Sequence, residues 1–496
     1  MTLTFEPDQQ ALLALIGEMS DQADQAFLVG GAVRDALLGR PLHDMDFVMA
    51  ANPTHLAKRL AKRLEAGFFL LDDERHTARV VYHDPDGRFF PLDFVQFTGQ
   101  DLGEDLRNRD FTVNAMALSL DDLIQVIDPL GGQDDLQRGV LRACSDHALL
   151  DDPVRVLRGV RLAVQFGFDY GQSLEAAMRE AAGQLHRTSG ERQRDEFFRL
   201  LAGPDPAAGL DQLWQVRVFD LLIPPLVDLE KIPAVPDGQH SMLAHAIRTV
   251  DAFHLLLEVL TAAVLPEHDA PWPLYQVQAE LGEFTNHSAA YFSEELTPGR
   301  GKAALAYFGA LLHEVGSPLP NLAGQGQPKP ADQATVGAEL AYDVAKRMPL
   351  SNTESGWVET FVRHHQDLLK LVQAGVTPDR RRIYRFFKSA GDAGVAIGVY
   401  TLADILATEA ESLKPDVWES ALIIVRMIFS AWWEAHAGIV SPVPLLDGRE
   451  LQAEFGLAPG VLIGELLMQL VEEQAAGIIV TKDQARSFVN DQLSGR

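Results

Sequence analysis

The chain is poor in cysteine, in positive charge and in long apolar runs, and each shortage removes a class of protein. A single cysteine, Cys144, among 496 residues excludes a disulfide framework or a zinc–thiolate centre within the chain and fits a reducing, cytoplasmic setting. No stretch approaches the roughly 20 apolar residues of a membrane-spanning helix. Met1–Ser20 is acidic and amphipathic rather than basic-then-apolar, so neither a membrane anchor nor a secretory leader is expected. Lysine and arginine total 42 against 70 aspartates and glutamates, for a net charge of −28. Such a chain does not bind polyanions indiscriminately, and nucleic-acid contact has to be confined to a local basic groove. Between Arg138 and Arg199 ten arginines meet nine acids, so basic charge is concentrated there. A second basic cluster is Arg380-Arg381-Arg382-Ile383-Tyr384-Arg385-Phe386-Phe387-Lys388.

The apolar share of 47% is that of an ordinary globular protein, and the length calls for several domains. Residues 1–20 read as a helix. Phe69–Leu71, Ala78–Tyr82 and Phe90–Val95 read as strands, with a hairpin turn at His83–Gly87. From Asp152 onward strand signals nearly vanish and helical periodicity takes over, interrupted by Pro/Gly-rich stretches near 203–206, 223–239, 316–330 and 441–448. The expected fold class is α+β, a mixed head followed by an all-helical remainder. The expected division is a head at 1–145, a helical neck at 146–215, a helical body at 216–440 and a helical tail at 441–496.

The head carries the most specific chemistry. Phe27-Leu28-Val29 runs into Gly30-Gly31 and then a helical stretch. That order, strand then glycine turn then helix N-terminus, offers free backbone N–H groups to an anion. Asp44 and Asp46 follow, two apart in an apolar run that reads as a strand, and i and i+2 on a strand share a face. Two carboxylates facing one way call for a hard cation, and Mg²⁺ takes oxygen ligands and keeps phosphate oxygens as partners. A phosphate cradle beside a metal pair describes nucleotidyl transfer, in which two metals serve the attacking 3′-hydroxyl and the triphosphate. A third carboxylate is then expected from a neighbouring strand, and Asp93, inside an apolar run, is the candidate.

Three further blocks follow. Asp105-Leu106-Arg107-Asn108-Arg109-Asp110 leads to Asn114. The guanidiniums of Arg107 and Arg109 offer forked donors for phosphate or ribose, which makes Arg109, Asp110 and Asn114 candidates around the nucleotide, beside Gly30, Gly31 and Arg34 at the triphosphate. Asp151-Asp152-Pro153-Val154-Arg155 reads as a helix start, with acid at the cap and proline at the first helical position. Asp152 and Arg155 then share a face, with Arg158 one turn on. The carboxylate accepts and the guanidinium donates. That pattern suits the amino donor and ring-nitrogen acceptor of C and A and opposes G and U, at roughly 1–3 kcal/mol per mispaired buried group. Ser189-Gly190-Glu191-Arg192-Gln193-Arg194 resembles a capping-box helix start. Arg161, Arg192 and Arg194 are the candidates for RNA contact.

Together these blocks resemble the class II tRNA nucleotidyltransferases, the bacterial CCA-adding enzymes and their poly(A) polymerase relatives. Gly-Gly-Ala-Val-Arg-Asp with Asp44-Met45-Asp46 is similar to that family's catalytic signature. Asp105–Leu118 is similar to its Arg-Arg-Asp-Phe-Thr-Ile-Asn-Ala-Met block, with Asn108 in place of the first arginine. Asp128–Leu136 resembles its hinge block, and Asp151–Arg155 its Glu-Asp-x-x-Arg template, with Asp at the first place. The match spans residues 27–200 in the family's order, and Pro444–Leu451 and Ala458–Leu467 resemble the family tail. The resemblance implies a polymerase-β-like head, two Mg²⁺ ions, CTP and ATP as substrates and tRNA as acceptor. A poly(A) polymerase, or an enzyme adding only CC or only A, shares the head blocks and differs in a flexible loop placed within residues 73–88.

The helical half carries a weaker resemblance to metal-dependent HD phosphohydrolases, in His240–His245, His313-Glu314, His364-His365 and Asp404. Glu314 stands where the motif has Asp, and Ser317 where a Lys is usual. The expectation is a degenerate HD-like body, with His245, His313, Glu314 and Asp404 as candidates for a second metal site. The rival readings are a phosphohydrolase centred on that site and an RNA-binding protein with an inactive head.

Overall fold

The computed structural model describes residues 2–20, 25–73, 76–83, 87, 89–121, 123, 125–234, 240–262, 271–317, 330–409 and 412–494. They form two compact units, Met1–Glu196 with Gln212–Leu221, and Phe197–Asp211 with Leu222–Arg496.

In the first unit a helix, α1 (Pro7–Met19), precedes a seven-stranded sheet. Its strands are β1 (Ala26–Val29), β2 (Met45–Met49), β3 (Gly67–Asp72), β4 (Thr77–His83), β5 (Phe89–Gln96), β6 (Ala117–Ser119) and β7 (Val126–Ile127), in the order β3-β4-β5-β2-β1-β6-β7. β2 sits at the centre, antiparallel to β1 and parallel to β5. Its core-facing residues explain the position: Met45, Phe47, Val48 and Met49 are buried, and Phe47 stacks on Phe94 with ring centroids 4.9 Å apart. The centre of a sheet holds its backbone most rigidly, which suits a strand that carries catalytic groups. α2 (Gly31–Leu37) follows β1, and α3 (Thr54–Arg63) buries Leu56, Ala57, Leu60 and Ala61. The three strands read from sequence are β3, β4 and β5. The β3–β4 connection spans residues 73–76 and the β4–β5 connection 84–88, and half of the first and most of the second lie outside the described residues.

The further elements are α4 (Leu102–Arg107), α5 (Gly132–Arg138), α6 (Ala148–Asp151), α7 (Arg155–Phe166), α8 (Leu174–Ala182) and α9 (Gly190–Leu201), whose last residues from Phe197 on belong to the second unit, with a short parallel pair, β8 (Val140–Leu141) and β9 (Asp169–Tyr170). Sequence placed the helix start at Asp152-Pro153, but α7 begins at Arg155. A residue before proline is pushed toward extended backbone. Asp152 accordingly has φ −143 and ψ 89 and ends α6 rather than capping α7.

Among the described residues the second unit is helical apart from a small hairpin, Glu295–Thr297 with Arg300–Gly301, and an isolated antiparallel bridge between Pro233 and Ser241. Helices Met242–Ala262, Lys302–Leu312, Asn352–His364 and Ala393–Glu409 pack together. Helices Gly448–Phe455, Val461–Ala475 and Lys482–Ser494 close over their own core of Leu446, Leu451, Leu466, Leu470, Ala485 and Val489. The Arg380–Lys388 cluster read as a basic surface patch is mostly consumed here. Arg380 donates to the carbonyls of Ala475 and Gly438, Arg381 pairs with Glu473 at 2.6 Å, and Arg385 pairs with Glu472. Among the described residues no single helix is long and apolar enough to cross a membrane.

Candidate functional site

The site in the head is built on register. Asp46 on β2 lies directly beside Asp93 on β5, and Asp93 in turn lies opposite Arg79 on β4. Arg79 grips both oxygens of Asp93 at 2.7 Å. Asp44 lies just before β2 rather than within it and is exposed. The pair is therefore a strand residue and its lead-in, not two residues of one strand. Burial raises the Asp46 carboxyl first, and the charges of Asp44 and Asp93 raise it further, to about 6, against the opposing pull of Arg109 and Arg158. A carboxylate crowded by two others and lifted out of its usual range suits a divalent cation, which would replace the proton. Asp93 is close enough in register to share that task, but its charge is already shared with Arg79, a partner that sequence gave no reason to name.

Gly30, at φ +74, links β1 to α2. A Cβ there would sit 3.3 Å from Arg109 Nη1 and 3.6 Å from Asp46 Oδ2. Bare backbone is therefore needed between the acid and the arginine, and the first-turn N–H groups of α2 have no intrahelical acceptor. Arg109 is tied to the buried Asp105 at 3.1 Å. Asp105 also accepts from the backbone and hydroxyl of Thr98.

Three of the predicted nucleotide residues are linked to one another. Arg34 is buried, with its fork on Asp35 at 2.9 Å, Nη1 on Asn114 Oδ1 at 2.6 Å and its guanidinium 4.4 Å above the Phe166 ring. Asn114 is buried as well and donates to Asp110 at 3.3 Å. Asp110 pairs with Arg158 at 2.8 Å. Burial alone would raise the Asp110 carboxyl, but Arg158, the Phe111 N–H, Arg155 and Asn114 together hold it below the usual carboxylate range. Arg34 commits three of its five N–H donors to Asp35 and Asn114, and these residues hold one another in place beside the site. The hinge block locks onto the same segment. Asp128 accepts from the N–H groups of Gly132 and Gln133 at 2.7 and 2.8 Å, and the fully buried Asp135 accepts from Thr112 at 2.6 Å and pairs with Arg138 and Arg142.

In the neck, Asp152 and Arg155 do share a face, with Nε 3.9 Å from the carboxylate. Arg155 spends three hydrogen bonds on the carbonyls of Asn108, Arg109 and Ala148. That fixes its plane against the corner that carries Arg109. Asp152 is held instead by Arg192, at 3.1 and 2.6 Å. The three arginines expected to meet RNA are all engaged within the chain: Arg161 with Glu196 at 2.8 Å, Arg194 with Asp195 at 2.8 Å, and Arg192 with Asp152. Local sequence cannot reveal a partner 40 positions away.

The helical unit holds a second cluster. Ligand atoms of His245, His313 and Asp404 all lie within 4.8 Å of one another. His245 Nε2 is 3.2 Å from Asp404 Oδ1, and Tyr400 donates to the same oxygen at 3.1 Å. His313 Nδ1 faces the carbonyl of Ala310 at 2.6 Å, and His365 Nδ1 that of Val362 at 2.6 Å. A carbonyl only accepts, so both Nδ1 atoms carry the proton and both Nε2 atoms present lone pairs. His313 Nε2 is buried without a hydrogen-bond partner. Burial, and then the neighbouring imidazoles, push His313 and His365 down to about 4, so both are neutral at pH 7. Glu314 stands aside from the three-residue group. Its oxygen is 3.7 Å from His313 Nε2, Ser317 donates to it, and burial raises its carboxyl. Of the adjacent histidines, His365 faces the cluster, while His364 pairs with Asp367 at 2.8 Å.

Residues 26–142 match the poly A polymerase head domain, and residues 167–229 match the probable RNA- and SrmB-binding site of polymerase A. The A-adding tRNA nucleotidyltransferase of Deinococcus radiodurans is 30% identical over 471 residues, covering 94% of this chain and 94% of its own length. The CC-adding tRNA nucleotidyltransferase of Thermus thermophilus is 31% identical over 484 residues, covering 95% and 94%. A solved CCA-adding enzyme in its apo form shares the fold at a TM-score of 0.63 and 19% identity, over 98% of this chain and 95% of that one. With such likeness along nearly its whole length, the chain belongs to the class II tRNA nucleotidyltransferase family.

Proposed function

We propose that this enzyme adds CMP and AMP, from CTP and ATP, to the 3′ end of tRNA without a nucleic-acid template. The observation that carries the reading is the row Asp46–Asp93 beside the bare backbone of Gly30, in the same compact unit as Asp152 and Arg155. Asp44 and Asp46, with Asp93 beside them, would hold two Mg²⁺. Bound there, the ions supply charge neutralisation at the triphosphate and acidify the attacking 3′-hydroxyl. The first-turn N–H groups after Gly30 and Gly31 receive phosphate oxygens, and Arg109 faces the same space. Asp152 accepts the exocyclic amine of C or A. Arg155, which keeps two of its five N–H donors after its three carbonyl bonds, donates to the ring nitrogen. Replacing Arg155 by alanine should lower discrimination against UTP and GTP by about 10- to 100-fold, read as the ratio of kcat/KM values. Unchanged ratios would remove Arg155 from base reading. A cytoplasmic setting fits the single cysteine and a tRNA substrate.

A second reading divides the CCA sequence and gives this chain only CC or only A. It is favoured by the relatives similar along the whole chain, which are an A-adding and a CC-adding enzyme. Primers ending before CCA, after C and after CC, each offered single nucleotides, separate the readings.

We further propose that the helical cluster binds a transition metal through His245, His313 and Asp404, with His365 next to it. Two imidazoles and one carboxylate form a three-ligand set with an open position, as catalytic metal sites require. The Ala310 carbonyl that anchors His313 Nδ1 is a usual outer partner of a ligating histidine. Mn²⁺ or Ni²⁺ should raise the thermal midpoint of the full chain at pH 7, and the rise should vanish in His313→Ala. It should also fade below pH 5, as protons compete for the imidazoles. An equal rise in the variant contradicts the site.

A further inference from the structure

We infer that Arg192 is a positioning residue for base selection: it holds the Asp152 carboxylate in the orientation in which it reads the incoming base. This inference rests on the reading of Asp152 and Arg155 as the base template.

Asp152 stands on extended backbone between α6 and α7, so no helix fixes its side chain. Its template partner does not fix it either. Arg155 Nε is 3.9 Å away, and three of that side chain's donors lie on carbonyls. The Arg192 guanidinium reaches across from α9 and grips both Asp152 oxygens, at 3.1 and 2.6 Å. A fork on both oxygens fixes the carboxylate plane, which a single bond would leave free to turn. An ionised carboxylate has about four acceptor positions. Arg192 takes two and leaves the others for the amino group of C or A. The Arg192 side chain is 56% exposed, so the fold does not depend on it for packing. Isolated pairs of such exposure contribute little stability. The arrangement therefore matters for where Asp152 points. It also conflicts with a role for Arg192 as a phosphate contact, since its fork is turned inward onto the template.

The test is steady-state incorporation of each of the four nucleotides onto tRNA lacking its 3′ CCA, for wild type, Arg192→Ala, Arg192→Lys, Asp152→Ala and the double variant Asp152→Ala/Arg192→Ala. Arg192→Ala should raise the KM for CTP about tenfold and shrink the preference for CTP over UTP by about tenfold, with the KM for tRNA and the thermal midpoint unchanged. Lysine keeps the charge without the fork and should recover only part of the loss. Arg192→Ala should add nothing to Asp152→Ala, because it acts through that carboxylate. Weakened tRNA binding with unchanged nucleotide preference in Arg192→Ala overturns the inference and makes the residue a phosphate contact. Full recovery in Arg192→Lys overturns the orienting fork. If Asp152→Ala itself leaves nucleotide preference intact, the template reading fails, and that result is separate from any effect at Arg192.

Discussion

Asp46→Asn should abolish nucleotide incorporation, by about a thousandfold or more, while making the metal-free protein more stable. The two effects have one cause. Burial and the charges of Asp44 and Asp93 raise the folded-state Asp46 carboxyl from 3.8 to about 6. The folded state therefore holds this proton more tightly than the unfolded chain does. Stability is lost as pH rises through the interval from about 4 to 6 and does not return above it. Asparagine carries no charge to be penalised, so the variant should melt at a higher temperature than wild type at pH 7 to 8 without divalent ions. The gap should close near pH 4. Mg²⁺ should raise the wild-type midpoint and leave the variant's nearly unmoved, with tRNA affinity equal in both. A variant that melts lower than wild type in metal-free buffer at pH 8 contradicts the crowded-carboxylate account, and undiminished turnover removes Asp46 from the reaction.

Gly132→Ala should damage both stability and turnover from a position that touches no substrate. A Cβ on Gly132 would lie 2.2 Å from the Thr112 carbonyl oxygen and 2.9 Å from its carbon. Backbone, not a flexible side-chain end, has to move. Overpacking of this kind costs about 1–3 kcal/mol, and more where a hydrogen-bond network breaks with it. The network is at hand: Asp128 accepts the Gly132 N–H, and Thr112 donates to the buried Asp135. The displaced segment also carries Asp110 and Asn114, which brace Arg34 and Arg158. The expected result is a thermal midpoint several degrees lower and a kcat reduced about tenfold or more with KM values less affected. Gly464→Ala is the control. Its Cβ would meet nothing within 4 Å on helix Val461–Ala475, so that change should be neutral or slightly stabilising. Equal behaviour of the two variants would show that the hinge block does not set the geometry of the site.

Much of this was legible in the sequence, because the decisive signals are local. The period-two strands, the glycine turn and the spacing of Asp44, Asp46, Asp152 and Arg155 depend on neighbours a few positions apart. What escaped depends on pairing across the fold. Asp93 could be suspected of siding with Asp46, and the parallel register of β2 and β5 places it there. Nothing in the sequence said that Arg79 would neutralise it. Nor did the motif around Arg34 say that its side chain would be buried against Asp35 and Asn114. The stretch Arg380–Lys388 read as a nucleic-acid patch because its carboxylate partners, Glu473 and Glu472, lie 92 and 87 positions downstream. Arg192 read as an RNA contact, and the partner it finds in the fold, Asp152, lies 40 positions away. A basic residue announces a charge, and only the fold says which acid receives it.

The measurement that tests the central claim most directly is single-nucleotide extension of tRNA by the purified full chain. tRNA ending before CCA, tRNA ending in C and tRNA ending in CC are each offered CTP, ATP, UTP or GTP with Mg²⁺. CCA addition predicts that CTP alone extends the first primer by two residues and the second by one. ATP alone extends the third by one, and UTP and GTP do nothing. The divided reading predicts activity on only one side of that sequence. Long tails made from ATP on every primer, or equal use of all four nucleotides, would contradict a site in which Asp46 and Asp93 serve the chemistry while Asp152 and Arg155 choose the base.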